Sequence, residues 1–313
     1  MLSRVADSLY WTSRYVERAE NVARLVAVNG YLTLDLPSTV NQWNPLIEAM
    51  GGENLFEARY GVPTQDNVVR FLTYEEDNAS SILASIRAAR SNARSVREFI
   101  TLEMWEQINR LYLKVGSDAR AGLTSQDWFD DIITGCQLIA GITDGTMSHG
   151  EGWHFCRLGR MIERADNTSR MLDVRYLFSI PLENDTARPY DDILWAALLR
   201  SVSALEMYRK KHRRIVPDRM VDFLILDTEF PRSIHHCVME SESRVRAVLG
   251  TPERTFRNTA EQRFGRLRSR LDYTAVAEIQ AQGVHEFIDA LQVELNAANE
   301  AVYETFFRIP ATA

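Results

Sequence analysis

Lysine is nearly missing from this chain: only Lys114, Lys210 and Lys211 appear among its 36 basic residues, and the rest are arginine. Positive charge is therefore carried by planar guanidiniums, which suit carboxylates and phosphates, although arginines also serve as ordinary surface residues. Cysteine is scarce too. Cys136, Cys156 and Cys237 are an odd number and too few for a disulfide framework, so they are expected to be buried thiols in a reducing compartment. No apolar run approaches the roughly 18 residues of a membrane helix, and the opening MLSRVADSLYW lacks a basic lead and an apolar core. A cytoplasmic protein with no membrane contact is the expectation. Nucleotide and hydrolase signatures of the GxxxxGK[ST], GxGxxG and GxSxG types are absent, so any ATP-driven step would need a partner. The histidines and cysteines of HGEGWHFC and HHC lack recognised ligand spacing and no CxxC occurs, so no metal is expected. A net charge of -7 argues against a general nucleic-acid binder.

What is present is enough to build a large core: 313 residues, 45% of them hydrophobic. A repeat dominates the organisation. Residues 14–24 read RYVERAENVAR and residues 160–170 read RMIERADNTSR, identical at six of eleven positions at an offset of 146. A second pair, FLTYEEDNASSI from Phe71 and FLILDTEFPRSI from Phe223, lies at an offset of 152, which implies a six-residue insertion in the second copy. The expected architecture is all-α: a helical bundle of two duplicated halves, 1–148 and 149–313, packed about a pseudo-twofold axis as one unit. The first half carries net charge -6 and the second -1.

Apolar residues recur every three or four positions through 2–34, 79–116, 125–146, 153–178, 191–212, 231–249 and 274–307, and no strand-like alternation competes. Asn78 is placed to cap the helix beginning at Ala79, and Pro231 to open the corresponding helix of the second half. Residues 35–67, with Pro37, Pro45, Gly51, Gly52, Gly61 and Pro63, read as mainly loop with a short helix near 43–50. The basic run YRKKHRR ends a helical pattern before Pro217, where positive charge complements a helix C-terminus.

At about 100° per residue, Arg14, Glu17, Asn21 and Arg24 fall within roughly 80° of one another, opposite Val16, Ala19, Val22, Ala23 and Val26. Arg160, Glu163, Asn167 and Arg170 repeat the stripe, with Arg18 and Arg164 beside the two glutamates. Three readings compete. The groups pin the two halves together as a partly buried ion network; or Arg14, Arg24, Arg160 and Arg170 form an anion pocket; or Glu17 and Glu163 act as general acid and base, which requires their surroundings to separate their pKa values. Arg87, Arg90, Arg94 and Arg97 share the same 0, 3, 7, 10 spacing and form a second candidate anion face, with a solvated surface as its alternative.

The doubled element, LYWTSRYVERAENVARL and FCRLGRMIERADNTSRMLD, together with FLILDTEFPRSI and AARSNARSVRE, resembles the Alpha-E family across essentially the whole chain. That family is a helical domain named for its Glu-Arg motif, so the resemblance marks Glu17, Arg18, Glu163 and Arg164 as signature residues. It implies a circularly permuted ATP-grasp protein as partner, with a transglutaminase-like protein nearby, and hence ATP-dependent amide or peptide bond formation or peptide modification. On this view ATP and magnesium belong to the ligase, while Glu17 and Glu163, with Arg14, Arg18, Asn21, Arg24, Arg90, Arg94, Arg160, Arg164, Asn167 and Arg170, would bind or act on a carboxylate- or phosphate-bearing substrate.

Overall fold

Two helices too long for a small bundle organise the molecule. In the computed structural model, which describes residues 1–36, 42–177, 190–253 and 255–308, α1 runs from Ser3 to Asp35 and α8 from Glu151 to Leu177. Between them lie α2 (Asn44–Met50), α3 (Glu53–Tyr60), α4 (Gln65–Tyr74), α5 (Ile82–Ser95), α6 (Leu102–Ala121) and α7 (Gln126–Thr146). After α8 come α9 (Asp191–Ser201), α10 (Leu205–His212), α11 (Pro217–Ile225), α12 (Ile234–Leu249), α13 (Thr259–Asp272), α14 (Val276–Gln282) and α15 (Val284–Val302), closed by a wider helical turn at Tyr303–Phe307. The described residues contain no strand.

α1 is buried on nearly every side. Leu9, Ala19, Val22 and Ala23 are fully enclosed, yet so are Thr12, Glu17, Glu20 and Asn21, so its polar face is covered by protein as well. α5 and α7 pack along α1, and α8 crosses it closely at Gly159. A methyl group on Gly159 would lie 2.3 Å from the Tyr10 carbonyl oxygen, so glycine is what permits this approach. One apolar cluster extends from Val5 to Phe307 and includes residues from both halves of the chain.

Local chemistry sets the helix boundaries and corrects several expectations. The run 79–116 is two helices: α5 ends at Ser95, a 3₁₀ turn spans Arg97–Phe99, and Thr101 accepts the Met104 N–H to start α6. Asn78 does not cap α5. Ser81 accepts the Ala84 N–H, while Asn78 bonds the Phe71 carbonyl and the Ser80 N–H in the preceding turn. Ser233, not Pro231, starts α12, by accepting the His236 N–H. The run 191–212 breaks where Ser203 takes a positive φ of 54°, and 274–307 breaks at Gly283, φ 100°. The stretch 35–67 holds the expected short helix α2 but also α3 and the start of α4; residues 37–41 of it lie outside those described, as do 178–189. α11 and α13, absent from the periodicity reading, pack against α8 and α12 respectively.

Candidate functional site

The Glu-Arg pairs of α1 and α8 exchange partners across the helix crossing. Arg18 of α1 donates through Nε to Glu163 Oε1 at 2.6 Å and through Nη2 to Oε2 at 3.1 Å. Arg164 of α8 donates through Nε to Glu17 Oε1 at 2.8 Å. Each glutamate is reached by a second guanidinium: Arg14 Nε lies 2.8 Å from Glu163 Oε2, and Arg232 Nη1 lies 2.8 Å from Glu17 Oε1. The exchange is reciprocal because both helices carry the same adjacent Glu-Arg pair at their crossing.

The network extends beyond the signature residues. Arg232, in the turn before α12, also contacts Glu20 at 2.7 Å and donates to Asn21 Oδ1 at 2.8 Å. Arg24 pairs with the same Glu20 oxygen at 2.7 Å. Arg14 lies over the Trp11 ring, 4.7 Å from its centroid, and donates to Asn299 of α15, which also accepts the Tyr10 hydroxyl. Glu17, Glu20, Glu163, Arg14 and Arg232 are all buried.

Electrostatics follow from this crowding. Burial pushes the Glu17 carboxyl up, but the Arg164 and Arg232 guanidiniums outweigh burial and hold it at about 2. Glu163 is likewise held below the ordinary carboxylate range, against burial, by Arg14 and Arg18. Around neutral pH both glutamates are therefore anions with their charge already neutralised. A general base works best with a pKa near the operating pH, and neither carboxylate meets that condition.

The other candidate residues disperse. Arg160 turns away to Asp144, 3.1 Å off, where Arg157 and the Trp153 indole N–H also converge. Arg170 pairs with Asp166 one turn back at 3.0 Å and stays 38% exposed. The second stripe does not form a single anion face: Arg87 bonds Glu76, Arg90 bonds Asn109 and lies 4.4 Å from the Tyr112 centroid, Arg94 is exposed, and Arg97 leaves the helix to lie over Trp105. Of the two His-Cys groups, His235 bridges the Leu226 carbonyl and Asp272, His236 contacts the Thr228 carbonyl, and His149 stacks on Trp153. A separate His-Asp cluster unites Asp173, His285 and Asp289, in which His285 bonds Asp173 at 2.7 Å.

Two cavities larger than the space of about 10 Å³ against Glu17, Glu20 and Arg160 lie along or next to the stripe. One of about 170 Å³ is lined by Arg18, Asn21, Glu163, Asp166, Asn167 and Arg170, with Ser80, Ala49 and Met50 closing it. Ala49 also lines an apolar cavity of about 470 Å³ walled by Leu25, Leu32, Leu46, Met171, Leu194 and Leu198. Four stripe positions repeated at 146-residue spacing, Arg24 and Arg170, Asn21 and Asn167, thus split: the two asparagines and Arg170 reach the polar cavity and Arg24 does not.

Sequence reasoning missed Glu20, Arg232, Asp144 and Asn299. Glu20 was accessible, since it stands three residues after Glu17 and therefore shares its face. Arg232 sits in FPRSI of the second repeat, but only its position in space reveals its partner. Asn299 and Asp144 carry no sequence signal of their role.

Residues 1–307 match the family described as a predicted alpha-helical domain with a conserved ER motif. The chain belongs to the Alpha-E family. The reciprocal Glu-Arg exchange between α1 and α8 is thus what this Alpha-E chain makes of the motif. Among curated proteins it is similar to an uncharacterized protein of Mycobacterium tuberculosis (strain ATCC 25618 / H37Rv), 21% identical over 254 residues that cover 74% of this chain and 28% of the relative. An uncharacterized protein of Mycobacterium bovis matches with the same identity and coverage. The chain therefore spans little more than a quarter of these relatives' length. It is also similar to an ATP synthase subunit delta of Anaeromyxobacter dehalogenans, 29% identical over 131 residues, 39% of this chain and 70% of that one. No solved structure matches.

Proposed function

We propose that this Alpha-E chain is a non-catalytic helical subunit that works with a circularly permuted ATP-grasp ligase in ATP-dependent amide or peptide bond formation or peptide modification. In this reading the Glu-Arg pairs are an internal lock, ATP and magnesium are held by the ligase, and the small polar cavity beside the lock receives a carboxylate or phosphate group of the substrate. A transglutaminase-like protein is a further expected associate. The non-catalytic part rests on one observation: Glu17 and Glu163 are buried and each is engaged by two guanidiniums, which hold it as an anion. That leaves neither carboxylate a proton affinity suited to acid-base work.

The partner assignment is supported by the mycobacterial relatives, in which the matched region is only 28% of the polypeptide, so the Alpha-E unit operates there beside other chain. An acyl phosphate made by a ligase needs protection from water, a task a helical lid suits. The duplication is part of the proposal. The reciprocal Arg18–Glu163 and Arg164–Glu17 pairs, and the Ser81 and Ser233 caps that open α5 and α12, support two copies, 1–148 and 149–313, packed about a pseudo-twofold axis.

The test is co-expression with a circularly permuted ATP-grasp protein encoded beside the gene, followed by size-exclusion chromatography and ATP hydrolysis with amino acids and peptides. Co-elution with substrate-dependent turnover absent from either chain alone is the expected result. Separate elution with no gain in turnover would overturn the partnership.

A further inference from the structure

The 170 Å³ cavity beside the lock is unlike an anion hole, because its charges balance. Two guanidiniums, Arg18 and Arg170, face it together with two carboxylates, Glu163 and Asp166. A phosphate entering it would meet both carboxylates, and a simple cation both arginines. A ligand carrying both charges meets neither penalty.

Unused hydrogen-bonding capacity points the same way. Arg170 spends only Nε, on Asp166, so its two Nη groups have no protein partner among the described residues. Arg18 spends Nε and Nη2 on Glu163 and leaves Nη1 without a hydrogen bond. Asn21 is 3% exposed and its Nδ2 has no partner, although its Oδ1 is held by Arg232. Asn167 is 8% exposed and forms no side-chain hydrogen bond among the described residues. Buried amide groups are normally satisfied, so the enclosed Asn21 Nδ2, left unmet in the wall of a cavity that Asn167 also lines, marks a place built to be filled. At roughly 30 Å³ per water the space holds about five or six waters, which suits a small amino acid and is too little for a nucleotide.

We propose that this cavity binds a free α-amino acid or the equivalent zwitterionic group, its carboxylate held by Arg170 and Arg18 with the Asn21 and Asn167 amides, and its ammonium by Asp166. This rests on the reading of the cavity as a substrate site and narrows that substrate from any carboxylate or phosphate to a zwitterion. Glu163 contributes mainly negative potential, since both its oxygens are already engaged by Arg14 and Arg18.

Saturation-transfer NMR on the isolated full chain, which needs no ligase, tests this with L-alanine, L-serine and L-glutamate against propionate, propylamine and inorganic phosphate. The expected result is at least tenfold tighter binding of an amino acid than of any single-charge probe. Arg170→Ala, at a half-exposed position whose partner is on its own helix, should weaken amino-acid binding at least tenfold at unchanged melting temperature, and Arg170→Lys should recover part of it. Propionate or phosphate binding as tightly as L-alanine would overturn the zwitterion assignment and leave an anion site. Absence of binding by every probe would overturn both the assignment and the substrate role of the cavity, with the ligase partnership judged separately by co-elution.

Discussion

Replacing Glu17 by Gln removes a charge from the centre of the lock while preserving side-chain shape. Glu17 is 3% exposed and accepts from Arg164 and Arg232, each at 2.8 Å. The neutral amide leaves Arg164 without a carboxylate partner and Arg232 with Glu20 alone. Breaking a buried ion pair by removing one partner costs about 3–5 kcal/mol. The same two guanidiniums hold the Glu17 carboxyl well below its ordinary value, so the charged form is the stabilising one. For a chain of this size that cost is a drop in melting temperature of about 5–10 °C, measured by thermal unfolding followed by circular dichroism. The cycle with Arg164→Met should return a coupling of about 1–3 kcal/mol, because the two groups are in direct contact. A Glu17→Gln chain that melts with the wild type, and shows no coupling, would refute the lock.

Further outcomes follow from the same geometry. Because Glu17 and Glu163 are both depressed below the ordinary 4.5, their stabilisation is fully present above about pH 4.5 and is lost as pH falls toward 2, so urea midpoints should decline across that window; Glu17→Gln should flatten the decline. Gly159→Ala, whose methyl would meet the Tyr10 carbonyl oxygen, should destabilise by about 1–3 kcal/mol by forcing α1 and α8 apart, readable as a shifted urea midpoint. Ser81→Ala and Ser233→Ala should each cost about 1 kcal/mol by uncapping α5 and α12. Burial pushes the thiols of Cys136, Cys156 and Cys237 up, to about 11 for Cys156 and about 12 for Cys237, so all three should resist thiol reagents at pH 8 until urea unfolds the chain.

The long elements were legible because their signals are long. α1, α7 and α8 lie within two residues of the periodicity reading, since apolar spacing over 20 or more residues outweighs local noise. Boundaries inside continuous apolar patterns were not legible: α5 and α6 read as one helix because Val96 and Ile100 keep the pattern while the backbone breaks, and the caps Ser81 and Ser233 lie two residues inside the starts expected at Ala79 and Pro231. A helix as short as α11, nine residues, depends on tertiary packing more than on periodicity.

The stripe was legible as an ordered ionic face, and its repetition pointed to a pairing of the two copies. What spacing could not decide was direction. Glu17 looks toward α8 and Arg232, so its carboxylate is consumed by partners 147 and 215 residues away in the sequence. The anion pocket expected from Arg14, Arg24, Arg160 and Arg170 is dispersed among Glu163, Glu20, Asp144 and Asp166, each a carboxylate within reach of one of them.

The most direct measurement is ATP turnover of the co-expressed complex carrying Glu17→Gln, whose carboxylate belongs to the lock and not to the polar cavity, at a temperature where circular dichroism shows the variant folded. A locking role predicts an assembled complex whose turnover stays within about threefold of wild type, because removing a general acid or base typically costs 10²–10⁴-fold. An assembled, folded complex with turnover reduced a hundredfold or more would contradict a structural Glu-Arg motif and assign chemistry to Glu17.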